Sequence, residues 1–440
     1  MIIKSLTELT GLPTKELLIF ITVICHIAMS AVYRQLKVDK NSPNYQRQIF
    51  IRKLFGFAVG MITNLLLFNW KEIVFAMCSL LIFYILSRQC TSPTITFRMN
   101  FLTLLYLCTI HIYRMMYYYK ENRFDINYVM TIVVPKQIYF NWYIHDIFND
   151  QQMKTADKVK AIPSFFDYCS YTMNFIGALV TPVYSYPEYD SFIKQNYKKD
   201  RVKKREISKK LVLIAVFLAI FIWGGINSDY TLLETPEFAN LTLFYKLFHI
   251  FIQGILIRVR FYIVWVLVEL TTVIANLRSE LEEYNTFVKC INPEVLEFGN
   301  NSKIKIDNWN ISIQRWLKRC FYNRIMSFTQ WNQTKTAFAV FAASAFWHGL
   351  YPTYYLSFFL IYLLMVNRKY YYKNRDVIWF SPALIERINI DTICVIFMRH
   401  EWDKLLLVLE NIWGLVLLFP AYLLFMMLYV RIFKTKVKTA

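Results

Sequence analysis

Ten stretches of the chain are apolar enough to be candidate membrane helices: residues 16–33, 54–70, 72–87, 98–119, 126–148, 163–184, 210–228, 243–277, 336–367 and 409–433. A helix needs about 17 to 25 apolar residues to cross the hydrocarbon layer of a bilayer. The 243–277 and 336–367 blocks are too long for one crossing, so the pattern predicts about ten to twelve membrane helices. No run alternates with period two over the length of a barrel strand, which argues against closed strands as the spanning solution. The expected fold is all-α, a polytopic transmembrane helical protein with residues 1–440 as a single domain and no internal repeat. The opening "MIIKSLTELTGLPTKELL" is polar before the first apolar block. That order is the reverse of a cleavable signal peptide, so the first helix is expected to stay in place.

Two polar inserts divide these blocks. "YKKDRVKKREISKK", residues 197–210, carries eight basic and two acidic side chains, and basic loops are retained in the cytosol. It reads as a topology signal with affinity for anionic headgroups, or as a lure for a polyanionic substrate. The longer insert, 279–335, contains "NWNISIQRWLKRCFY". There Trp309, Ile313, Trp316, Leu317 and Phe321 fall at three- and four-residue spacings, which suits a helix on or within the bilayer with a basic face.

Composition sharpens the class. Hydrophobic residues make up 56% of the chain and charged residues 18%, against the roughly 45 to 50% apolar content of ordinary globular domains, and the mean hydropathy is positive. A soluble protein is excluded. The net charge is +20. Eight cysteines are scattered without a CxxC pair, so they read as buried small hydrophobes, and no metal site is expected.

"SAFWHGLYPTYYLSFF", residues 344–359, sets His348, Gly349 and Pro352 inside an apolar run, which predicts a helix break just after the histidine. Irregular backbone at membrane depth survives only where protein or a water-filled cavity satisfies its polar groups, so His348 is expected to line a cavity. An intramembrane histidine is a functional candidate by default. His26, His111, His145, His249 and His400 lie in or beside other apolar blocks and are expected to be satisfied by hydrogen bonds or to sit at interfaces. Arg258, Arg260 and Glu269 suggest a kinked or paired helix turn. His111 and Arg114 share a helix face and could meet a headgroup phosphate or tie helices together.

"WNISIQRWLKRCFYNR" (309–324) and "SAFWHGLYPTYYLSF" (344–358) together resemble the lysophospholipid acyltransferase branch of the membrane-bound O-acyltransferase (MBOAT) family, with a Trp-Asn segment followed by a Ser-Ala-x-Trp-His-Gly-x-Tyr-Pro-Gly-Tyr-Tyr segment. "LTGLP", "HIYRMMYYY" (111–119) and "IPSFFDYCSYTMNFIGALVTPVYSYPEYDSFI" (162–193) are similar to further family segments. The resemblance implies His348 as the catalytic histidine and Asn310 as the second catalytic residue. It also implies Trp309, Trp316, Trp347, Tyr351, Tyr354 and Tyr355 as residues of the substrate pocket. The implied reaction moves an acyl group from acyl-CoA, a co-substrate rather than a bound cofactor, to a lysophospholipid hydroxyl. Histidine suits the base in that step because its unperturbed pKa lies near neutrality, and the Asn310 amide could orient the acceptor or hold an oxyanion.

Three positions depart from the family pattern: Thr353 stands for the glycine of Pro-Gly-Tyr-Tyr, Lys318 for an arginine, and Thr181 for the residue of a Gly-Pro pair. Thr353 is expected to set a side chain beside the cavity. Two alternatives stay open, a family member acylating a protein or sterol and an inert scaffold of the same fold. The expected partners are lysophospholipid, acyl-CoA and membrane lipids, without nucleic acid; a homodimer or a membrane assembly partner stays open. The expected location is the endoplasmic reticulum. Lys436 and Lys438 match a KxKxx retrieval signal, which requires a cytosolic end, whereas counting crossings from the basic loop puts that end in the lumen unless 389–400 re-enters or crosses.

Overall fold

The computed structural model describes residues 14–119, 121, 125–149, 162–194, 204–277, 288–378 and 381–437. Among them there are helices and connections but no strand. Residues 197–203 of the basic insert, 279–287 of the polar insert and Lys438 of the tail motif lie outside the described residues.

Among the described residues, six helices are long and apolar enough to cross a membrane: Tyr45–Leu67, Trp70–Ser87, Pro93–Tyr118, Lys204–Asn227, Leu243–Ile274 and the Trp402–Phe433 portion of the last helix. Their outer faces carry bare apolar side chains such as Leu66 at 80% and Ile226 at 77% exposure, a surface that water would penalise and lipid would cover. The chain is an integral membrane protein. Of the two blocks predicted to break, 336–367 does so, into Gln333–His348 and Pro352–Lys373, whereas 243–277 forms one helix, Leu243–Ile274. That helix holds no proline, and its Gly254 serves packing, since a Cβ there would stand 2.7 Å from Asp391 Oδ1. The 389–400 segment belongs largely to the helix Ala383–Phe397.

The chain divides into two compact units, described in turn. The first comprises Met1–Ile214, Val264–Ile291 and Asn310–Gln330. Its centre is the helix Ile126–Asn149, buried on all sides from Ile132 through His145. Buried polar groups need partners; several on this helix have them, whereas Tyr139 Oη and His145 Nε2 have none among the described residues. Asn141 donates to Asn100 at 2.8 Å and accepts from Gln137 at 2.7 Å. Lys136 Nζ donates to the carbonyls of Thr172 and Tyr171 at 3.0 and 3.3 Å and lies 4.7 Å from the centre of the Tyr184 ring. Trp142 donates to the Cys320 carbonyl at 3.0 Å. Arg114 pairs with Asp125, so it ties its helix to the next connection.

The block at 163–184, read from its hydropathy as a crossing, is corrected by the structure. It forms a short helix, Phe165–Thr172, followed by a buried irregular stretch up to Ser185. Gly177 at φ 77° and Pro182 end any helix there. Side chains replace the missing ladder: Tyr184 Oη donates to the Ile176 carbonyl at 2.6 Å, Tyr171 Oη to the Tyr184 carbonyl at 2.7 Å, and the Ile176 N–H to Asn174 Oδ1 at 3.1 Å. The stretch docks on Gly56 and Gly60, one turn apart on Tyr45–Leu67. The Phe175 N–H donates to the Gly56 carbonyl at 3.0 Å, and a Cβ on Gly60 would stand 1.9 Å from the Met173 carbonyl oxygen. Small residues permit such close approach of backbone to helix.

The second unit comprises Ala215–Ile263, Asn292–Trp309 and Trp331–Ala440. Gln333–His348 and Pro352–Lys373 form a helical hairpin, against which Ala383–Phe397 and Trp402–Val437 pack around a core that includes Ile257, Leu360, Leu364, Ile396 and Val408. Within it lies a neutral cluster of two guanidinium and two carboxylate groups. Arg258, 1% exposed, meets Asp391 and grips Glu297 through Nε at 2.9 Å and Nη2 at 3.1 Å. Arg387 binds the same two carboxylates at 2.9 and 2.8 Å, and Tyr262 Oη donates to Glu297 at 2.6 Å. Arg258 is therefore a paired structural residue.

Gly60→Ala is expected to destabilise the protein by about 1 to 3 kcal/mol through overpacking against backbone, read as a lower thermal midpoint in detergent. Gly225→Ala, where nothing lies within 4 Å of the added carbon, should hold or raise it. Burial pushes the Glu297 carboxyl up, but the Arg258 guanidinium, Tyr262 and Arg387 together outweigh burial and hold the carboxyl at about 2. Its contribution to stability is thus present above the ordinary value of about 4.3 and is lost as pH falls from there toward the folded value. The stability gap between wild type and Glu297→Gln, measured by thermal unfolding, should be widest near neutrality and close across that acidic range.

Candidate active site

The helix that carries His348 starts at Asn332, whose side chain accepts from the Lys335 N–H at 2.9 Å, and rises through Ala337, Ala339, Ala342, Ala343 and Ala345. It stops because Gly349 adopts φ 140°, open to a residue without a Cβ. The Gly349 N–H closes the last turn on the Ala345 carbonyl at 3.2 Å. Tyr351 is extended and Pro352 occupies the first turn of the next helix, where its fixed φ and missing N–H cost nothing. The predicted break is present, with His348 as the last residue before it.

The half-buried His348 ring sits among aromatic rings from three elements. Centroid distances are 4.5 Å to Trp347, 5.4 Å to Tyr354, 5.2 Å to Phe358 and 5.2 Å to Phe397. Tyr351 packs against Tyr354 at 5.9 Å. Tyr355 turns outward, 39% exposed. Thr353 differs from its expected setting: it is fully buried, and its hydroxyl donates to the Ile396 carbonyl in the last turn of Ala383–Phe397. That carbonyl also accepts the Arg399 N–H at 3.0 Å, so the hydroxyl is a second donor to it and the side chain is taken up in packing. Trp309 packs edge-on against Phe261 at 5.4 Å.

Asn310 belongs to the first unit and is described within it. It adopts the left-handed conformation, φ 45° and ψ 56°, which asparagine tolerates better than most residues. From there its carbonyl accepts the N–H groups of Ile313 and Gln314, both at 3.0 Å, and opens the helix Ile311–Leu317. Five residues of π-helix, Lys318–Tyr322, follow before Asn323–Phe328, so the amphipathic helix expected here is shorter and locally widened. Trp316 is fully buried edge-on against Phe321 at 5.3 Å. The Asn310 Oδ1 atom is buried with no hydrogen-bond partner among the described residues, the state of a polar group that a substrate could use.

What holds this turn is Glu269, passed over by sequence reasoning as a helix-pairing residue. Its Oε1 accepts from the N–H groups of Cys290 and Ile291 at 2.7 and 3.0 Å, and its Oε2 meets Lys210 Nζ. The Cys290 carbonyl in turn accepts the Ile311 N–H at 2.7 Å. Burial, reinforced by the Glu269 carboxylate, pushes the Cys290 thiol well above its ordinary range, which keeps it protonated and removes it as a nucleophile.

A family model described as MBOAT, membrane-bound O-acyltransferase family, matches residues 55–400, a span that includes both Asn310 and His348. "Lysophospholipid acyltransferase 6" of Drosophila melanogaster is 25% identical over 340 residues, 70% of this chain and 46% of that protein. "Membrane-bound glycerophospholipid O-acyltransferase 2" of Gallus gallus is 24% identical over 391 residues, 81% of this chain and 72% of that protein. "Lysophospholipid acyltransferase" of Schizosaccharomyces pombe is 24% identical over 287 residues, 61% of this chain and 56% of that protein. The chain thus spans about half the length of the fly and yeast relatives.

Glu269→Ala strips two buried N–H groups of their acceptor, at about 1 to 3 kcal/mol for each, whereas Glu269→Gln keeps an acceptor and loses the lysine attraction. The thermal midpoint in detergent is expected to fall in both variants and further in the alanine one. Equal midpoints for all three proteins would remove Glu269 from this role.

Proposed function

Because the chain belongs to the membrane-bound O-acyltransferase family, we propose that it is a lysophospholipid acyltransferase, moving a fatty acyl group from acyl-CoA to the free hydroxyl of a lysophospholipid. The observation that carries this reading is His348 itself: a titratable side chain ending a helix at a glycine break, in a half-buried aromatic setting, inside the matched span. Relatives named for lysophospholipid and glycerophospholipid acylation support the substrate class.

In this reading the imidazole of His348 takes the proton of the lysophospholipid hydroxyl as its oxygen attacks the thioester carbonyl. The carbon–sulfur bond breaks, an ester forms, and the proton passes from the imidazolium to the departing thiolate, so the base is regenerated. The Asn310 amide orients the acceptor or stabilises the oxyanion. Both lipids favour the bilayer, at about 0.8 kcal/mol per buried methylene. The CoA phosphates stay in water, where a chain of net charge +20 attracts them. The same reading puts the protein in the endoplasmic reticulum membrane and treats its two units as one acyltransferase domain. Uptake of the Thr353 hydroxyl by the Ile396 carbonyl supports reading that departure as a packing change.

Acyl transfer by purified protein in detergent, offered several lysophospholipids and acyl-CoAs, tests the proposal. Wild type should acylate at least one acceptor, and His348→Ala should lower turnover roughly 100- to 10,000-fold without unfolding the protein. Asn310→Ala should also impair turnover. Absence of transfer to every lysophospholipid from folded wild type would overturn it.

A further inference from the structure

The break after His348 places a second histidine one side chain away from the first. Tyr354, whose ring lies 5.4 Å from that of His348, has its hydroxyl 3.0 Å from Nε2 of His400, and the two rings lie at 5.3 Å. The Tyr351 ring also lies 5.3 Å from that of His400. His400 sits just beyond the end of Ala383–Phe397, the helix that supplies Phe397 to the His348 setting, and the preceding Arg399 clamps this connection. The Arg399 guanidinium pairs with Glu234 at 2.8 Å, donates to the Tyr230 carbonyl at 2.9 Å and covers the Tyr230 ring at 3.7 Å. A mobile surface histidine would not be held this way.

The physical link between the two histidines is the phenol. Aromatic faces within about 6 Å attract a cation, so the Tyr354 ring favours an imidazolium formed at His348 when a proton is accepted there. A neutral His400 presents a lone pair that accepts the Tyr354 hydroxyl hydrogen, which fixes the ring and leaves it electron-rich. A protonated His400 has only donors. It must then donate to the phenol oxygen, drawing density from the ring and setting a positive charge beside the one developing on His348. We propose that Tyr354 and His400 form a positioning pair for His348, and that the site works only while His400 is neutral.

This rests on the acyltransferase reading and goes beyond it, because it assigns a role to a residue outside both motifs. Among the described residues, the ionisable groups near His400 include Tyr354 and Tyr351 from the helix Pro352–Lys373, Arg399 with its partner Glu234, and Glu401, which pairs with Lys404 at 2.7 Å. His249 and Asp229 lie farther out on the Arg399 side. In this proposal the proton on His400 is the change that His348 senses.

The test is the pH dependence of turnover for wild type, His400→Gln and Tyr354→Phe, with His348→Ala as control and thermal unfolding as a check of folding. Glutamine can accept the phenol hydrogen without titrating, and phenylalanine keeps the ring while breaking the link. If both histidines must be neutral, the acid limb of wild type should steepen to two protons, so each pH unit costs roughly a hundredfold against roughly tenfold in either variant. The change should appear in kcat, with KM little altered. A one-proton limb in wild type, or a two-proton limb kept by either folded variant, would overturn the pair. If His400→Gln does not fold, Tyr354→Phe decides. Transfer by His348→Ala at the wild-type rate would instead overturn the catalytic reading on which the pair depends.

Discussion

A chain that lives in lipid must pair its backbone polar groups within the protein, because the hydrocarbon offers them nothing. At three interruptions of regular helix among the described residues, a side chain or a neighbouring carbonyl has taken over the ladder. The stretch after Phe165–Thr172 depends on tyrosine hydroxyls and an asparagine amide. The turn into Ile311–Leu317 depends on the Cys290 carbonyl and, behind it, the Glu269 carboxylate. The break after His348 depends on a glycine and on the Ala345 carbonyl. These interruptions are costly to build, and the two residues to which chemistry is assigned, Asn310 and His348, both stand at one.

Charge is handled by the same rule. Buried ions are tolerable when paired and hydrogen-bonded, and costly when one partner is removed. Arg258, Arg387, Glu297 and Asp391 balance within the second unit, and Lys210 balances Glu269 within the first. These are two separate ion-pair networks. They locate backbone, one fastening the Glu297 segment and the other the turn ahead of Asn310. Small residues act likewise in the Gly56 and Gly60 pair, where the absence of a side chain lets an irregular segment lie against a helix.

The sequence by itself determined the class and most of the helices. Apolar runs of bilayer length need no partner to be recognised, since lipid and not a specific neighbour selects them. Gly349 and Pro352 announce a break through their own backbone chemistry, and two motifs placed Asn310 and His348 before any fold was known. Hydropathy failed where burial came from protein. The 163–184 block is as apolar as a crossing yet folds as a short helix and an irregular buried stretch, in which Tyr171, Asn174 and Tyr184 of the same block replace the ladder. The 243–277 block kept one helix, with no proline to break it and with Gly254 packed against Asp391.

Only the tertiary structure decided which polar groups meet. The Thr353 departure is satisfied by a carbonyl 43 residues away, Glu269 reaches backbone 21 and 22 residues on, and His400 finds the Tyr354 hydroxyl across 46. Local composition carries no trace of such pairings, because a hydrogen bond depends on position to a fraction of an ångström while hydropathy depends only on averages along the chain. The membrane made the helices legible in the sequence, and packing between helices set the surroundings of the catalytic candidates.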